Sequence, residues 1–440
     1  EWVSGGLTIE DTKAYVPFLE GAGVDYFGVS VGVYRSGDQI IPSMYTDHGW
    51  IANNAKEVKS VASVPVYAIG RINDTRVANA IIKSGKADMV AMGRQSIADP
   101  ETPNKAKAGC FTDIRTCVGC LHGCDANVNL EQSGTCELNP IIGHESEAEY
   151  QTVMTDSPKN VLVIGHESEA EYQTVMTDSP KNVLVIGAGP AGLEAAIGAA
   201  KRGHHVTVYD KDRWAGGKYR LASVPPCKGE LGAFFVWQVH ELKKLNVPVI
   251  LNTPVTKELV DSVKPDVVIA ATGTTPVVPK KIPGYDKDIV VIGTDVLSGK
   301  ANTGHNVVVI GGGHAGAETA NHIASYMKNV TIVELQEDIA MDEVDTPRNG
   351  LLADLKKNGV RICTSTAVQE IKDHSVVVSG KVNEEIECDT VVISIGHTPN
   401  TALADELKQA GYDVRIIGDA VSVGLVGPAV RAGYLTARQI

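Results

Sequence analysis

Short apolar runs alternate with amphipathic stretches along the first hundred residues of the chain. The apolar runs are residues 24–32 (VDYFGVSVG), 64–72 (VPVYAIGRI) and 87–94 (ADMVAMGR). The stretches beside them, residues 8–23, 49–61 and 74–86, space their apolar residues as helices do. Strand and helix signals in alternation are typical of a parallel sheet, so the pattern predicts an α/β fold in this part of the chain.

A second pattern occurs twice in the remainder: an apolar strand, a glycine-rich turn, a helix, a second strand and an acidic residue. The two copies begin at Asn182 (NVLVIGAGPAG) and Asn306 (NVVVIGGGHAG). The glycines are Gly187, Gly189 and Gly192 in the first copy, and Gly311, Gly313 and Gly316 in the second. Asp210 and Glu334 each follow the first glycine of their copy by 23 residues. Glycines with this spacing in this context predict two dinucleotide sites, in which the carboxylates bind ribose hydroxyls.

An exact repeat complicates the division into domains, because residues 143–164 and 165–186 are identical over 22 positions. Only the second copy continues into a glycine turn, so we expect one copy to be a spare insert without a function of its own. The predicted domains are residues 1–109, a cysteine segment 110–142, a linker 143–180, a first dinucleotide domain 181–302 and 376–440, and a second one, 303–375, inserted into it.

Charge and hydropathy exclude several partners. The net charge of −13 argues against nucleic acid and anionic membranes, which attract basic patches. Apolar runs stay short of the ~18 residues that a membrane span needs. We expect a cytoplasmic protein without a secretory signal that acts on a small molecule; assembly into a homo-oligomer is left open.

Four cysteines crowd into the sequence between the two patterns. Cys117, Cys120, Cys124 and Cys136 are spaced C-x2-C-x3-C-x11-C. Clustering within a long cytosolic chain favours metal over disulfides. A zinc site favours paired C-x2-C steps or added histidines, whereas four thiolates suit a [4Fe–4S] cluster. We predict the cluster, and zinc and plain thiols remain the alternatives.

The C-terminal 260 residues resemble the two-dinucleotide flavoproteins of the disulfide-reductase type. The resemblance rests on the two glycine turns, on the ATG step at Thr272 and Gly273, and on the late Gly418–Asp419 pair. It implies FAD at the first turn, NAD(P)H at the second and an FAD ribitol bound by Asp419. Glu334 favours NADH, because its carboxylate would repel the 2′-phosphate of NADPH.

The N-terminal stretch resembles the second half of an Old Yellow Enzyme barrel. Gly70 with Arg71, and Gly93 with Arg94, end the second and third apolar runs. Loops after the last two strands of such barrels commonly hold phosphate, and the resemblance implies that these residues bind the phosphate of FMN. The reading of both arginines as ordinary surface residues is weaker for a matched pair.

Barrel, four-cysteine segment and dinucleotide module in this order resemble the family of 2,4-dienoyl-CoA reductase, enoate reductase and trimethylamine dehydrogenase. The resemblance implies electron flow from NADH through FAD and the [4Fe–4S] cluster to FMN, which reduces the activated C=C bond of an unsaturated acid or acyl-CoA. Tyr34 lies where these dienoyl-CoA reductases carry a histidine, and a phenol can donate the proton that completes reduction. Its alternative role is packing against the flavin.

Two further alternatives concern the protein as a whole. An eight-stranded barrel takes about 250 residues, so the ~109 residues before the cysteines hold about three strands, and we expect a fragment of a longer protein. The other functions we considered are an amine dehydrogenase of the trimethylamine dehydrogenase type and an electron-transfer remnant without catalysis.

Overall fold

A computed structural model describes residues 2–146 and 177–440. The chain divides into two compact units, one whose described part ends at Gly143 and one whose described part comprises residues 144–146 and 177–440. We call them the N-terminal and C-terminal units. The repeat lies mostly outside the described residues, but the end of its second copy forms the strand Asn182–Ile186. None of the described helices is both long and apolar enough to cross a bilayer.

The N-terminal unit is built on a three-stranded parallel sheet. Its strands are β1 (Phe27–Val29), β2 (Val66–Ala68) and β3 (Met89–Val90), and β2 lies in the middle. The helices are α1 (Ile9–Gly21), α2 (Gly37–Ile40), α3 (Ala52–Lys59), α4 (Thr75–Lys83), α5 (Gly93–Ala98), α6 (Thr102–Lys107) and α7 (Asn127–Asn129). The predicted alternation of strand and helix in this part of the chain is therefore confirmed.

The helices that connect these strands bury the apolar stripe that the sequence predicted. Thr8 caps α1 by accepting the N–H of Asp11, whose carboxylate accepts the N–H of Thr8 in return. Asp74 caps α4 by accepting the N–H of Arg76. Ala55 of α3 and Ile81 of α4 pack with the buried residues of β2 in one core. This core holds the carboxyl ends of β2 and β3 side by side.

The C-terminal unit contains two five-stranded parallel sheets, a three-stranded antiparallel sheet and a two-stranded antiparallel sheet. Its strands are β4 (Asn182–Ile186), β5 (His205–Tyr209), β6 (Val249–Ile250), β7 (Val267–Ala270), β8 (Thr274–Pro276), β9 (Val290–Ile292), β10 (Asn306–Ile310), β11 (Asn329–Val333), β12 (Arg361–Cys363), β13 (Thr366–Ile371), β14 (Ser375–Gly380), β15 (Glu384–Glu387), β16 (Thr390–Ile393), β17 (His397–Pro399) and β18 (Val414–Ile416). Its helices are α8 (Pro190–Lys201), α9 (Gly217–Ala222), α10 (Leu231–Lys244), α11 (Lys257–Val263), α12 (Gly293–Leu297), α13 (His314–Ala324), α14 (Asp345–Lys357), α15 (Ala402–Gln409) and α16 (Val426–Arg438).

The two large sheets share one plan. The first has the order β18-β7-β4-β5-β6 and the second β12-β11-β10-β16-β9, so that β4 and β10 each lie at the centre. The apolar runs of β4 and β10 are buried from their second residue onward, as expected for strands covered on both faces. Each central strand leads directly into a glycine turn and a helix.

The second five-stranded sheet includes strands on both sides of residues 303–375, the range predicted for the inserted domain. Strands β9 and β16, residues 290–292 and 390–393, pair within the second sheet, and β14 and β15 join the antiparallel sheet beside it. The second sheet thus draws on residues 290–393. Pairing between distant strands decides this boundary, and the local apolar pattern does not reveal it. The domains as binding units remain a prediction.

Candidate functional site

The four clustered cysteines line a single small cavity in the N-terminal unit, together with Arg94 and Leu138. A π turn over His122–Ala126 closes with the N–H of Ala126 donating to the carbonyl of Leu121 at 3.0 Å. Turns of this kind are rare in proteins overall, but many of those that occur lie at functional sites. Gly119 and Leu121 have φ of 68° and 66°, so the segment bends sharply on both sides of Cys120. The backbone thereby brings cysteines from both ends of the segment together.

Burial makes these thiols hard to ionise. It raises the pKa of Cys120 far above the usual range, with added repulsion from Glu137 and from neighbouring thiols. Burial likewise raises the pKa of Cys124 to about 12 and increases the pKa of Cys136. Thiolates in such a cavity require positive charge beside them, and metal ions supply it. All eight cysteines lie in described residues, and none of them is paired in a disulfide there.

The two Gly-Arg steps lie at the carboxyl ends of β2 and β3, as predicted. Gly70, Arg71, Gly93 and Arg94 line a cavity of about 390 Å³. Arg71 is only 7% exposed, has φ of 52° and donates from Nη1 to the carbonyl of Thr46. Arg94 donates from Nη1 to the carbonyl of Pro42 at 2.7 Å. The structure brings both arginines to one site and holds each by its backbone contacts.

This cavity extends to the cysteines, a feature that the sequence did not predict. Cys117 and Cys124 belong to its lining, and Arg94 lines both this cavity and the cysteine cavity. Asn73 and Gln95, also in the lining, bond the backbone of Cys117. The signal that could have identified them is their position close behind the two arginines.

Tyr34 lies elsewhere. It begins a short 3₁₀ turn, Tyr34–Ser36, is fully exposed and does not line the cavity between the Gly-Arg steps. Its catalytic role stays a prediction.

The first glycine turn connects β4 to α8. Gly187 has φ of 111°, and a side chain there or at Gly192 would run into a backbone carbonyl oxygen. A side chain at Gly189 would meet nothing within 4 Å, so its surroundings are open at the start of α8. Asp210 accepts the N–H groups of Ala188 at 2.6 Å and Asp212 at 2.8 Å. The turn presents an open helix N-terminus, as a pyrophosphate site requires.

The second glycine turn connects β10 to α13 with the same geometry. Gly311 has φ of 104°, and side chains at Gly311 and Gly316 are blocked by carbonyl oxygens. Glu334 accepts the N–H groups of Gly312 and of Gln336, as Asp210 does in the first turn. Gly313 caps α13. The predicted glycines and acid therefore lie together in both copies.

The second turn carries an ion pair that the first lacks. Asp342 accepts the backbone N–H of His314 at 2.8 Å and contacts its Nδ1. Burial lowers the pKa of His314, but the hydrogen bond with Asp342 and the nearby Glu318 outweigh it, and the pKa rises above its usual value. His314 in turn lowers the pKa of Asp342 to about 2, against the effect of burial.

A third group of polar residues surrounds the predicted ribitol contact. Gly418 and Asp419 lie in a 3₁₀ turn after β18. Burial raises the pKa of Asp419, opposed by Lys218, and burial lowers the pKa of Lys218 to about 8. Burial and Lys218 also lower the pKa of His397 to about 4. Lys218 and His397 were missed in the sequence, because they come near Asp419 only through the fold.

Comparison with known proteins explains this arrangement. The model of the pyridine nucleotide-disulphide oxidoreductase family matches residues 181–420, more than half of the chain. The chain belongs to this family. Residues 8–113 match a second family model, NADH:flavin oxidoreductase / NADH oxidase, which contains the two Gly-Arg steps.

Individual relatives combine both parts. The chain is 38% identical to an NADH oxidase of Thermoanaerobacter brockii over 448 residues, covering 100% of this chain and 65% of the relative. It is 32% identical to a cinnamate reductase of Clostridium sporogenes, with 100% and 64% covered. A structure of 2-naphthoyl-CoA reductase matches with a TM-score of 0.91 and 30% identity, over 100% of this chain and 64% of that one.

These matches confirm the predicted fold class and the resemblance to the enoate-reductase-like NADH:flavin oxidoreductases. The N-terminal unit is part of an FMN-type barrel, and the C-terminal unit is the FAD and NAD module. The chain spans about 65% of the length of the first relative.

Proposed function

We propose that this chain belongs to an NADH-dependent flavin and iron–sulfur oxidoreductase. Electrons would pass from NADH through FAD and a [4Fe–4S] cluster to FMN, and from there to the C=C bond of an unsaturated acid or its CoA thioester. One observation carries the proposal: the cavity between the two Gly-Arg steps extends to Cys117 and Cys124. A phosphate site and a thiol site thus share one wall. When bound, the flavins supply hydride and single-electron transfer, and the cluster supplies one-electron transfer.

The first glycine turn fits FAD. Gly189 leaves the N-terminus of α8 open, where the helix dipole and backbone N–H groups would bind the pyrophosphate. Asp210 would accept hydroxyls of the adenosine ribose after exchanging a backbone partner, and Asp419 would bind the ribitol. Lys218 beside Asp419 limits the excess negative charge at this end of the site.

The second glycine turn fits NADH better than NADPH. Glu334 directly follows β11, where a 2′-phosphate would come close to its carboxylate. Glu337 and Asp338 follow within four residues and are exposed. Glu334 and Glu337 would repel the added phosphate, whereas the carboxylate of Asp338 is paired with Nη2 of Arg348 at 2.5 Å.

The cysteine cavity fits a [4Fe–4S] cluster bound by Cys117, Cys120, Cys124 and Cys136. Four thiols line it, and their burial disfavours thiolates unless iron is present. Arg94 lies near Cys124 and lowers the cost of negative charge there. In the same unit, Arg71 and Arg94 would bind the FMN phosphate through guanidinium groups. Tyr34 is our candidate proton donor to the carbon next to the substrate carbonyl.

The test is an anaerobic assay of the gene product that contains this sequence, with NADH and cinnamate. We expect about one NADH oxidised per alkene reduced, and no alkene reduction by Cys120→Ala, which retains FAD. Protein that carries both flavins and the cluster but leaves cinnamate intact in this assay would reject the alkene substrate. Oxidation of a methylated amine instead would support the amine dehydrogenase alternative, and a product without cluster or flavin would support the remnant.

A further inference from the structure

The peptide groups around Cys117 are held from two directions by buried amide side chains. The N–H of Cys117 donates to Oε1 of Gln95 at 2.8 Å. The carbonyl of Cys117 accepts from Nδ2 of Asn73. Asn73 is 4% exposed and Gln95 is 1% exposed, so water does not compete for either bond. We call Asn73 and Gln95 the amide pair.

Each member of the amide pair follows one of the two Gly-Arg steps in the sequence. Asn73 follows Arg71 by two residues, and Gln95 follows Arg94 directly. The amide pair, Cys117 and both arginines line the same cavity. Any displacement of one of these loops by a bound phosphate therefore acts on the backbone of Cys117 through a single hydrogen bond.

Gln95 is itself fixed by further bonds. Its Nε2 donates to Oγ1 of Thr102 at 2.9 Å and to the carbonyl of Arg115 at 3.0 Å. Gln95 thus connects α5, α6 and the start of the cysteine segment, and it has no alternative partner in water. Its three bonds give the side chain one arrangement, with the oxygen directed to Cys117.

We propose that Asn73 and Gln95 are positioning residues that couple FMN binding to the iron–sulfur cluster. The inference rests on the proposed function, because it requires both groups to bind. Phosphate at Arg71 and Arg94 and iron at Cys117 favour the same placement of the two loops. Coupling of this kind is reciprocal, so the cluster strengthens FMN binding by the same factor as FMN strengthens cluster binding.

The wild-type chain tests the coupling directly. FMN is titrated anaerobically against the chain with its cluster and against the chain stripped of iron, and the dissociation constant is read from flavin fluorescence. We expect FMN to bind at least about five-fold more tightly when the cluster is present, the lower end of usual coupling. A second readout is the electron paramagnetic resonance spectrum of the reduced cluster, which should change when FMN is added.

Variants assign the coupling to the amide pair. Asn73→Asp keeps the shape but loses the donor to the Cys117 carbonyl, and Gln95→Leu loses the acceptor for its N–H. In both variants, the ratio of the FMN dissociation constant without the cluster to that with the cluster should fall towards one. Gln95→Glu keeps an oxygen that can accept the N–H of Cys117 but loses the Nε2 donors to Thr102 and Arg115, so it should retain only part of the ratio.

A matched control separates the loss of the positioning role from the general loss of stability that follows removal of any buried amide side chain. Asn321 in the C-terminal unit is fully buried and accepts from Asn358 at 2.8 Å. Asn321→Leu should lower the melting temperature and leave the FMN ratio unchanged.

Two results would overturn the inference: equal FMN affinity with and without the cluster in wild type, or an unchanged ratio in Asn73→Asp and Gln95→Leu. If these variants do not assemble a cluster, the wild-type ratio decides. Wild-type protein that binds no iron and sulfide would overturn the proposed function as well, which distinguishes the two failures.

Discussion

The two units build nucleotide sites from the same local elements but surround them differently. In the C-terminal unit, each glycine turn follows the central strand of a five-stranded sheet. In the N-terminal unit, the Gly-Arg steps follow strands of three and two residues, and β3 lies at the edge of its sheet, where Met89 is 44% exposed. A turn of the right shape is therefore present in both units, but among the described residues the turns that follow the central strand of a five-stranded sheet lie in the C-terminal unit.

This difference separates two kinds of binding. A site at the centre of a five-stranded sheet offers contacts to several parts of a dinucleotide. A site with one open cavity and the two arginines that we propose for phosphate binding would contact mainly the phosphate of FMN. Binding by charge alone is weak and sensitive to salt. We therefore expect this chain to hold FAD firmly and FMN loosely, and the following experiments test that contrast.

The largest effect should come from the cysteines. Cys120→Ala removes one of the four thiols that line the cysteine cavity, so the anaerobically purified variant should lose the visible iron–sulfur band. Wild type should carry about four irons and four sulfides per chain. FAD content, measured after acid release, should remain. Stoichiometric zinc without labile sulfide in wild type would contradict the cluster.

Gly189→Val should abolish FAD binding and NADH oxidation with an artificial one-electron acceptor. A side chain at Gly189 meets no protein atom within 4 Å, so it would obstruct only the ligand, and the melting temperature of the cofactor-free protein should hold. Gly192→Val is the matched control. Its side chain would run into the carbonyl oxygen of Gly187, and this variant should lose folding stability as well. A Gly189→Val variant with normal FAD would show that the pyrophosphate lies elsewhere.

Arg94→Ala should act only on the N-terminal unit. FMN binding should weaken about ten-fold because a charge-assisted phosphate contact is lost, and wild-type FMN affinity should fall as salt is raised. NADH oxidation with the artificial acceptor should be unchanged, since it depends on the C-terminal unit. Stoichiometric, salt-resistant FMN in wild type would contradict the contrast between the units.

The smallest effect concerns the ion pair at the second glycine turn. The folded state raises the pKa of His314, so its stabilising contribution is complete below the unfolded pKa near 6.5 and disappears as pH rises through the higher folded value. Because both side chains are partly exposed, the pair should contribute less than about 1 kcal/mol. His314→Ala should lower the melting temperature by about 1–2 °C at pH 6 and have no effect at pH 9. A larger loss in melting temperature at pH 9 than at pH 6 would contradict the predicted pH dependence.

Much of the fold could be predicted from local patterns. Apolar runs located the three strands of the N-terminal unit, and two glycine turns with an acid 23 residues later located both dinucleotide turns. These features are local because a strand, a sharp turn and a helix N-terminus are specified by residues close together in the chain. Spacing alone likewise grouped Cys117, Cys120, Cys124 and Cys136, which line one cavity.

The tertiary structure decided what lies beside these elements. It assigned β9 and β16 to the second sheet, brought Lys218 and His397 near Asp419, and joined Asn73 and Gln95 to Cys117. Such contacts connect residues 22 to 201 positions apart, and no local pattern encodes which distant side chain will be buried next to which backbone group. The sequence alone therefore determined the glycine turns and predicted which cysteines lie together, while the packing of the sheets and helices determined their neighbours, because burial and hydrogen-bond pairing depend on the complete fold.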